Sequence, residues 1–227
     1  MASDETHLAD LVRRRLEGEP LQYLEGSASF VSFDLQVDAR VLVPRPETEG
    51  LWEVAVSLHP DPRRIVDLCT GSGALAIALA RSFPRARVVG TDVSSDALDV
   101  ARLNGARLAP DVEWRTGDLF EAVDEDLRGR VDLLVSNPPY VAAGEWEDLP
   151  LDVRREPRLA LVSGETGLEV LERIAAEAGE WLAPGGCVAC EIGETQGAAV
   201  RGLFADYRQP RILTDLAGRE RYLVAGR

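Results

Sequence analysis

The sequence predicts an α/β fold built on a doubly wound, mostly parallel sheet of seven strands, with a helix and a β-hairpin ahead of it. Three observations carry this expectation. From Arg64 onward, short apolar runs alternate with longer segments of helical periodicity, the pattern of successive β/α units. The first of these runs ends in Asp67-Leu68-Cys69-Thr70-Gly71-Ser72-Gly73, a glycine-rich turn into a helix. A later run, residues 131–135, is almost wholly apolar, as in a parallel strand covered on both faces, and it ends at Ser136-Asn137-Pro138-Pro139-Tyr140. Two consecutive prolines lack backbone donors, so the chain must leave the sheet there, at the carboxyl edge where open α/β sheets bind ligands.

Taken in order, residues 4–17 carry Leu8, Leu11, Val12 and Leu16 at helical spacing, and Gly18 and Pro20 stop the helix. Residues 30–43 alternate apolar and polar, most clearly over 33–37 and 41–43. With Asp38-Ala39-Arg40 between them they read as a hairpin. Pro44-Arg45-Pro46-Glu47-Thr48-Glu49 opens a helix to about residue 58, since proline and acids suit a first turn. Strands at 65–68, 87–91, 112–115 and 131–135 then alternate with helices at 74–81 and 95–108 and a short helix before the last strand. Ser94 or Ser95 is placed to cap the second helix. Helices at 168–182 and 196–207 flank a strand at 187–192, and strands at 211–213 and 222–224 close the chain. The turn between the last two permits a hairpin, so one of them is expected to be antiparallel. Residues 142–166 are long for a βα connection, and such loops are usually functional. The expected division is an appendage at 1–46 and a main domain at 47–227.

At 227 residues the chain can form one full α/β domain, and 45% hydrophobic with 28% charged residues is ordinary for a globular protein. No apolar run approaches the roughly 20 residues that span a bilayer. The amino terminus lacks the apolar stretch of a signal peptide, so no membrane role is expected and the cytoplasm is the expected compartment. A net charge of −14 opposes a broad electrostatic grip on nucleic acid and favours a protein or small-molecule partner. Cys187 and Cys190 fit a C-x-x-C spacing, but no second pair exists and both histidines are remote in sequence. On a strand the two thiols point to opposite faces, so no metal site is expected.

The glycine turn and Asp92, at the end of the next strand, suit a nucleoside ligand: glycines admit close approach and a carboxylate can take both ribose hydroxyls. Gly71-Ser72-Gly73-Ala74-Leu75-Ala76 also fits the dinucleotide fingerprint. Against a dinucleotide stand the wider loop and Asp67, whose carboxylate would repel phosphate and suit a cation. Asp118 and Leu119 add a polar and an apolar contact for a base. A nucleoside bearing a cation fits this set, which describes S-adenosylmethionine. At the second strand end, carbonyls and the Asn137 amide are acceptors suited to a substrate amino group, with Tyr140 able to cover it.

In order and spacing these motifs resemble class I S-adenosylmethionine-dependent methyltransferases. Together with Pro44-Arg45-Pro46-Glu47-Thr48-Glu49 and Glu191-Ile192-Gly193-Glu194-Thr195-Gln196, they resemble the HemK/PrmC family of protein-glutamine methyltransferases from about residue 18 to the end. The resemblance implies methylation of the side-chain amide nitrogen of the Gln in a Gly-Gly-Gln loop of a peptide-chain release factor. It implies that Cys69, Thr70, Gly71, Ser72 and Gly73 line the methionine end of the cofactor, with Asp67 beside them. Asp92 would hold the ribose, and Leu119 and Asp118 the adenine. Asn137 and the Pro138 carbonyl would accept the substrate N–H groups, with Pro139 and Tyr140 completing the acceptor site. The family carries several helices ahead of the hairpin, whereas about one precedes it here, so the amino-terminal part reads as shortened. Another protein, a small molecule or the exocyclic amine of adenine stands as the alternative acceptor, and a non-catalytic binding protein is the third reading.

Overall fold

The central apolar runs of the main domain become strands because both their faces are covered. The computed structural model describes residues 2–227, with side chains from Thr6 onward. Helices α1 (Ala2–Leu16) and α2 (Leu21–Glu25) precede a two-stranded hairpin, β1 (Ser27–Phe30) and β2 (Phe33–Gln36), and α3 (Pro46–Leu58). The β/α series follows: β3 (Arg64–Leu68), α4 (Ala74–Ser82), β4 (Arg87–Asp92), α5 (Ser95–Leu108), β5 (Glu113–Thr116) and β6 (Val131–Ser136). After short 3-10 turns come α6 (Glu169–Trp181), β7 (Leu182–Glu191), α7 (Gly197–Leu203), β8 (Arg208–Thr214) and β9 (Glu220–Gly226). Ser94 caps α5, its hydroxyl accepting from the Ala97 N–H.

The main sheet has seven strands in the order β5-β4-β3-β6-β7-β9-β8. All neighbours are parallel except β9, which runs antiparallel to both β7 and β8. One apolar cluster joins β3, α3, α4 and α5 on one face of the sheet, and a second joins α6, α7 and the 3-10 turns on the other. Cys187 packs against the first cluster and Cys190 lies in the second, so the two thiols do take opposite faces of β7.

The amino-terminal region departs from the sequence expectation in two places. The hairpin turns at Val31-Ser32, not at Asp38-Ala39-Arg40, with Ser29 opposite Asp34 and Phe30 opposite Phe33. Its alternation starts earlier, at Ala28, and residues 41–43 follow a turn, in which the Val41 N–H bonds the Asp38 carbonyl at 3.1 Å, without forming a strand. Val41 and Val43 are still buried, because the core and not a ladder takes them. In α1, Leu8, Val12 and Leu16 are exposed, so its helical periodicity does not mark a core face. The core itself continues across residue 46: Phe30, Leu35, Val37 and Val43 share one cluster with Leu51, Ile65 and Leu79.

Candidate active site

β3 and β6 lie side by side at the centre of the sheet, and chain order runs outward from β3 on one side and from β6 on the other. That reversal opens a crevice beyond their carboxyl ends, the place where such sheets take ligands. A cavity of about 270 Å³ lies there. Cys69, Gly71, Asp92, Asp118, Leu119, Asn137 and Pro139 line it, together with Arg40, Val41 and Leu42 and, from the long segment, Pro157, Leu159, Ala160 and Val162. A mostly apolar lining with a few placed polar groups is typical of small-molecule sites. Cys69 (φ 59°) and Leu119 (φ 49°) hold left-handed backbone that non-glycine residues rarely adopt, and both line the cavity. Strain of this kind concentrates where a fold clamps a ligand.

Asp92 leaves the end of β4 with its carboxylate held from two sides. Oδ2 accepts the Gly71 N–H at 2.9 Å and Oδ1 accepts the Ser94 N–H at 2.9 Å. Burial pushes its pKa upward against these bonds. Each oxygen keeps lone-pair capacity, giving the two acceptors to which a pair of vicinal hydroxyls can donate. Asp118 is paired with Arg173 at 3.0 Å, and both line the cavity.

Asp67 is placed differently from its expected role. It is fully buried and absent from the cavity wall, with Oδ2 accepting the Thr70 hydroxyl at 2.5 Å and the Ala76 N–H at 3.1 Å. Burial raises its pKa to about 7. Its carboxylate pins the glycine turn to the first turn of α4 instead of facing a ligand. Thr70 and Ser72 are buried behind the wall, and the Ser72 carbonyl accepts from the Asn104 amide at 3.0 Å. Gly73 sits at φ 85°, and a Cβ there would stand 2.7 Å from the Trp114 ring. Only Cys69 and Gly71 of that turn reach the cavity.

At the second strand end, Asn137 and Pro139 line the cavity, whereas Pro138 and Tyr140 do not. The Asn137 Nδ2 donates to Thr48 Oγ1 at 2.9 Å, and the Thr48 hydroxyl donates to Glu191 Oε2 at 2.8 Å. The Tyr140 hydroxyl donates to Glu191 Oε1 at 3.3 Å, and the Tyr140 carbonyl accepts from Gln196 Nε2 at 2.9 Å. Burial raises the Glu191 pKa to about 7, partly offset by the Thr48 hydroxyl and Arg221. Tyr140 therefore ties its loop to β7 and α7. Thr48 and Glu191 sit inside motifs already visible in the sequence, but the Asn137–Thr48 and Thr48–Glu191 contacts span 89 and 143 residues and are set only by the fold. Glu156, in the long segment, is likewise buried: it accepts the Val43 N–H at 2.8 Å and pairs with Arg45.

Three features of this site suit a cationic nucleoside cofactor. The carboxylate of Asp92 retains acceptor capacity at the wall, Leu119 and Pro139 offer apolar faces, and open space lies over the Gly71 Cα, where a Cβ would meet nothing within 4 Å. No group of three or more His, Cys, Asp and Glu is gathered in a metal-binding arrangement among the described residues. No described helix is long and apolar enough to cross a membrane.

Sheet order, cavity position and strand-end residues define a methyltransferase fold of class I. The family model "Methyltransferase small domain" matches residues 53–150. Among solved structures, the ribosomal protein L11 methylase of Lactobacillus delbrueckii subsp. bulgaricus superposes with a TM-score of 0.60 at 24% identity, covering 85% of this chain and 84% of that one, a likeness of fold. Two curated relatives carry the match further. The release factor glutamine methyltransferase of Koribacter versatilis (strain Ellin345) is 38% identical over 98% of this chain and 80% of that protein. The enzyme of the same name from Streptomyces coelicolor is 45% identical over 88% of this chain and 72% of that protein. The chain belongs to the family of release factor glutamine methyltransferases.

Proposed function

We propose that this protein transfers a methyl group from S-adenosylmethionine to the side-chain amide nitrogen of the glutamine in a release factor's Gly-Gly-Gln loop. Its family membership supports the substrate, and one local observation supports the chemistry: the Asn137 NH2 group donates to Thr48, which turns Oδ1 the other way as an acceptor at the cavity. The bound cofactor supplies an electrophilic methyl on a sulfonium centre. Asp92 would hold the ribose hydroxyls, and Leu119 the adenine face. Asp67, Thr70, Ser72 and Gly73 support Cys69 and Gly71 from behind.

An amide nitrogen is a weak nucleophile because its lone pair is delocalised into the carbonyl. Asn137 Oδ1 would accept one of its N–H groups, hold the nitrogen toward the methyl group and stabilise positive charge as it develops on N–H; the Pro138 carbonyl, expected as the second acceptor, lies outside the cavity wall. The nitrogen would gain the methyl carbon as the methyl–sulfur bond breaks with its electron pair left on sulfur, and one N–H proton, held against Asn137 Oδ1, would pass to solvent. Orientation is the main contribution, so no adjacent general base is required. A release-factor substrate supports a cytoplasmic location for the protein.

The test is transfer of labelled methyl to purified release factor with an intact Gly-Gly-Gln loop, beside one whose loop Gln is replaced by Ala. Label should enter only the first, and Asn137→Ala should reduce turnover by about 10²–10³, the usual loss for one placed polar group. Preferential labelling of RNA, DNA or a small-molecule fraction would transfer the assignment to the alternative amine acceptors.

A further inference from the structure

Asn137 is useful as an acceptor only if its amide is turned the right way, and the side chain alone does not decide this. An amide rotated by 180° would present NH2 to the cavity with little change in shape. The determinant lies behind it. Thr48 is 4% exposed and Glu191 1% exposed, and neither lines the cavity. A hydroxyl has a single hydrogen, and that of Thr48 goes to Glu191 Oε2 at 2.8 Å. Thr48 Oγ1 can then only accept from Asn137, so it selects the NH2 end of the amide, seen at 2.9 Å.

We infer, resting on the reading of Asn137 above, that Thr48 and Glu191 are positioning residues: ionised Glu191 commits the Thr48 hydrogen and so fixes Asn137 as an acceptor, and protonation of Glu191 releases it. A protonated Glu191 can donate to Thr48, which frees the Thr48 hydrogen for Asn137 Oδ1. The amide then turns, and its NH2 meets the N–H groups of the substrate, donor against donor. Groups facing Glu191 from the packed elements are Arg221 and Tyr222 on β9, Glu47 and Thr48 on α3, and Tyr140 on the proline loop. Glu47 is itself paired with Arg219 at 2.9 Å, and Arg221 approaches Glu194 at 3.8 Å. Burial raises the carboxyl, and the Thr48 hydroxyl, Arg221 and the Tyr140 hydroxyl offset this only in part while Glu47 adds to it, so the group titrates near neutrality, at about 7.

The first readout needs no activity. In ¹⁵N spectra, the Asn137 side-chain amide, assigned by its loss in Asn137→Ala, should titrate between about pH 6 and 8 in the parent and become pH-independent in Glu191→Gln and Thr48→Val. The second is turnover on release factor. The parent kcat should rise with pH through the Glu191 titration, and Glu191→Gln should lose that limb. Thr48→Val should lower kcat about tenfold or more, the scale of one hydrogen bond, with S-adenosylhomocysteine affinity unchanged, and Thr48→Ser should recover most of it. An Asn137 amide that ignores pH in the parent overturns the inference, as does a Thr48→Val enzyme whose kcat stays within about twofold. Should the parent fail to methylate release factor, the functional reading falls while the amide titration still decides the network. Should Thr48→Val not fold, the parent spectrum and Glu191→Gln decide it.

Discussion

Asp92 and Asp67 are both carboxylates at strand ends of one sheet, yet their surroundings give them opposite uses. Asp92 has one backbone N–H on each oxygen and an open side toward the cavity, whereas Asp67 has no exposure and one oxygen, Oδ1, without a partner. Replacement of Asp92 by Ala should weaken S-adenosylhomocysteine by about 1.5–3 kcal/mol, the range for hydrogen bonds to a charged group, and also lower the melting temperature, because the Gly71 and Ser94 N–H groups lose their acceptor. Calorimetry and a melting curve on the same sample check both halves, and equal affinity would exclude Asp92 from the ribose site. The residue types at the two strand ends were legible in the sequence, because glycine, proline and carboxylate each carry a backbone or charge consequence of their own. Which carboxylate faces the ligand was not legible, since it turns on whether the Thr70 hydroxyl and Ala76 N–H are near enough to claim Asp67. The same limit hid Thr48, whose position in a helix first turn looked like ordinary helix-start chemistry.

At the level of elements, α5 was legible to the residue because a Ser cap, apolar periodicity and a terminal arginine agree. The hairpin turn was not. Phe33, Leu35 and Val37 alternate along the strand and its end, and Val41 and Val43 alternate again after a turn at Asp38–Val41, so periodicity alone cannot tell which part has a partner. Long-range polar ties settle it. The Asn104 side chain exchanges hydrogen bonds with the backbone of Gln36 at 2.7 and 3.0 Å, locking β2 to α5, while the Val43 N–H goes to Glu156. Glu156 thereby fastens the long segment to Val43 and Arg45, and the long segment and the adjoining residues Arg40, Val41 and Leu42 supply cavity walls. Removing it should matter less than breaking a fully buried ion pair, because the Arg45 side chain is 31% exposed and regains water. Glu156→Ala should therefore cost about 1–3 kcal/mol, mainly for the orphaned Val43 N–H, and Glu156→Gln, which keeps that acceptor, clearly less. Urea denaturation of the two variants gives the comparison, and equal losses would mean that the charge, not the backbone tie, does the holding.

For the whole molecule, the net charge of −14 hides a division among the acids. Surface carboxylates paired with arginine, such as Glu113 and Asp124 beside Arg87 and Arg115, have pKa values held low by those partners. They favour the folded state at neutral pH and lose that contribution as pH falls through their folded values. Buried Asp67 and Glu191 act in the opposite sense, since burial raises both to about 7. Between the unfolded value of Asp67, 3.8, and its folded value near 7, the folded state holds a proton that the unfolded chain has released. Rising pH therefore favours unfolding across that window, and the effect levels off once the folded group is also ionised. A single variant isolates this contribution from the many surface acids. Asp67→Asn keeps the shape and removes the titration, so its melting temperature relative to the parent should climb steadily from about pH 4 to about pH 7 and stay flat above. The absolute offset will also reflect how well an amide replaces the carboxylate toward Thr70 and Ala76, which is why the slope and not the sign at one pH is diagnostic. A difference in melting temperature that does not change across that range would mean that Asp67 is ionised in the folded protein throughout, with the Thr70 and Ala76 hydrogen bonds outweighing its burial.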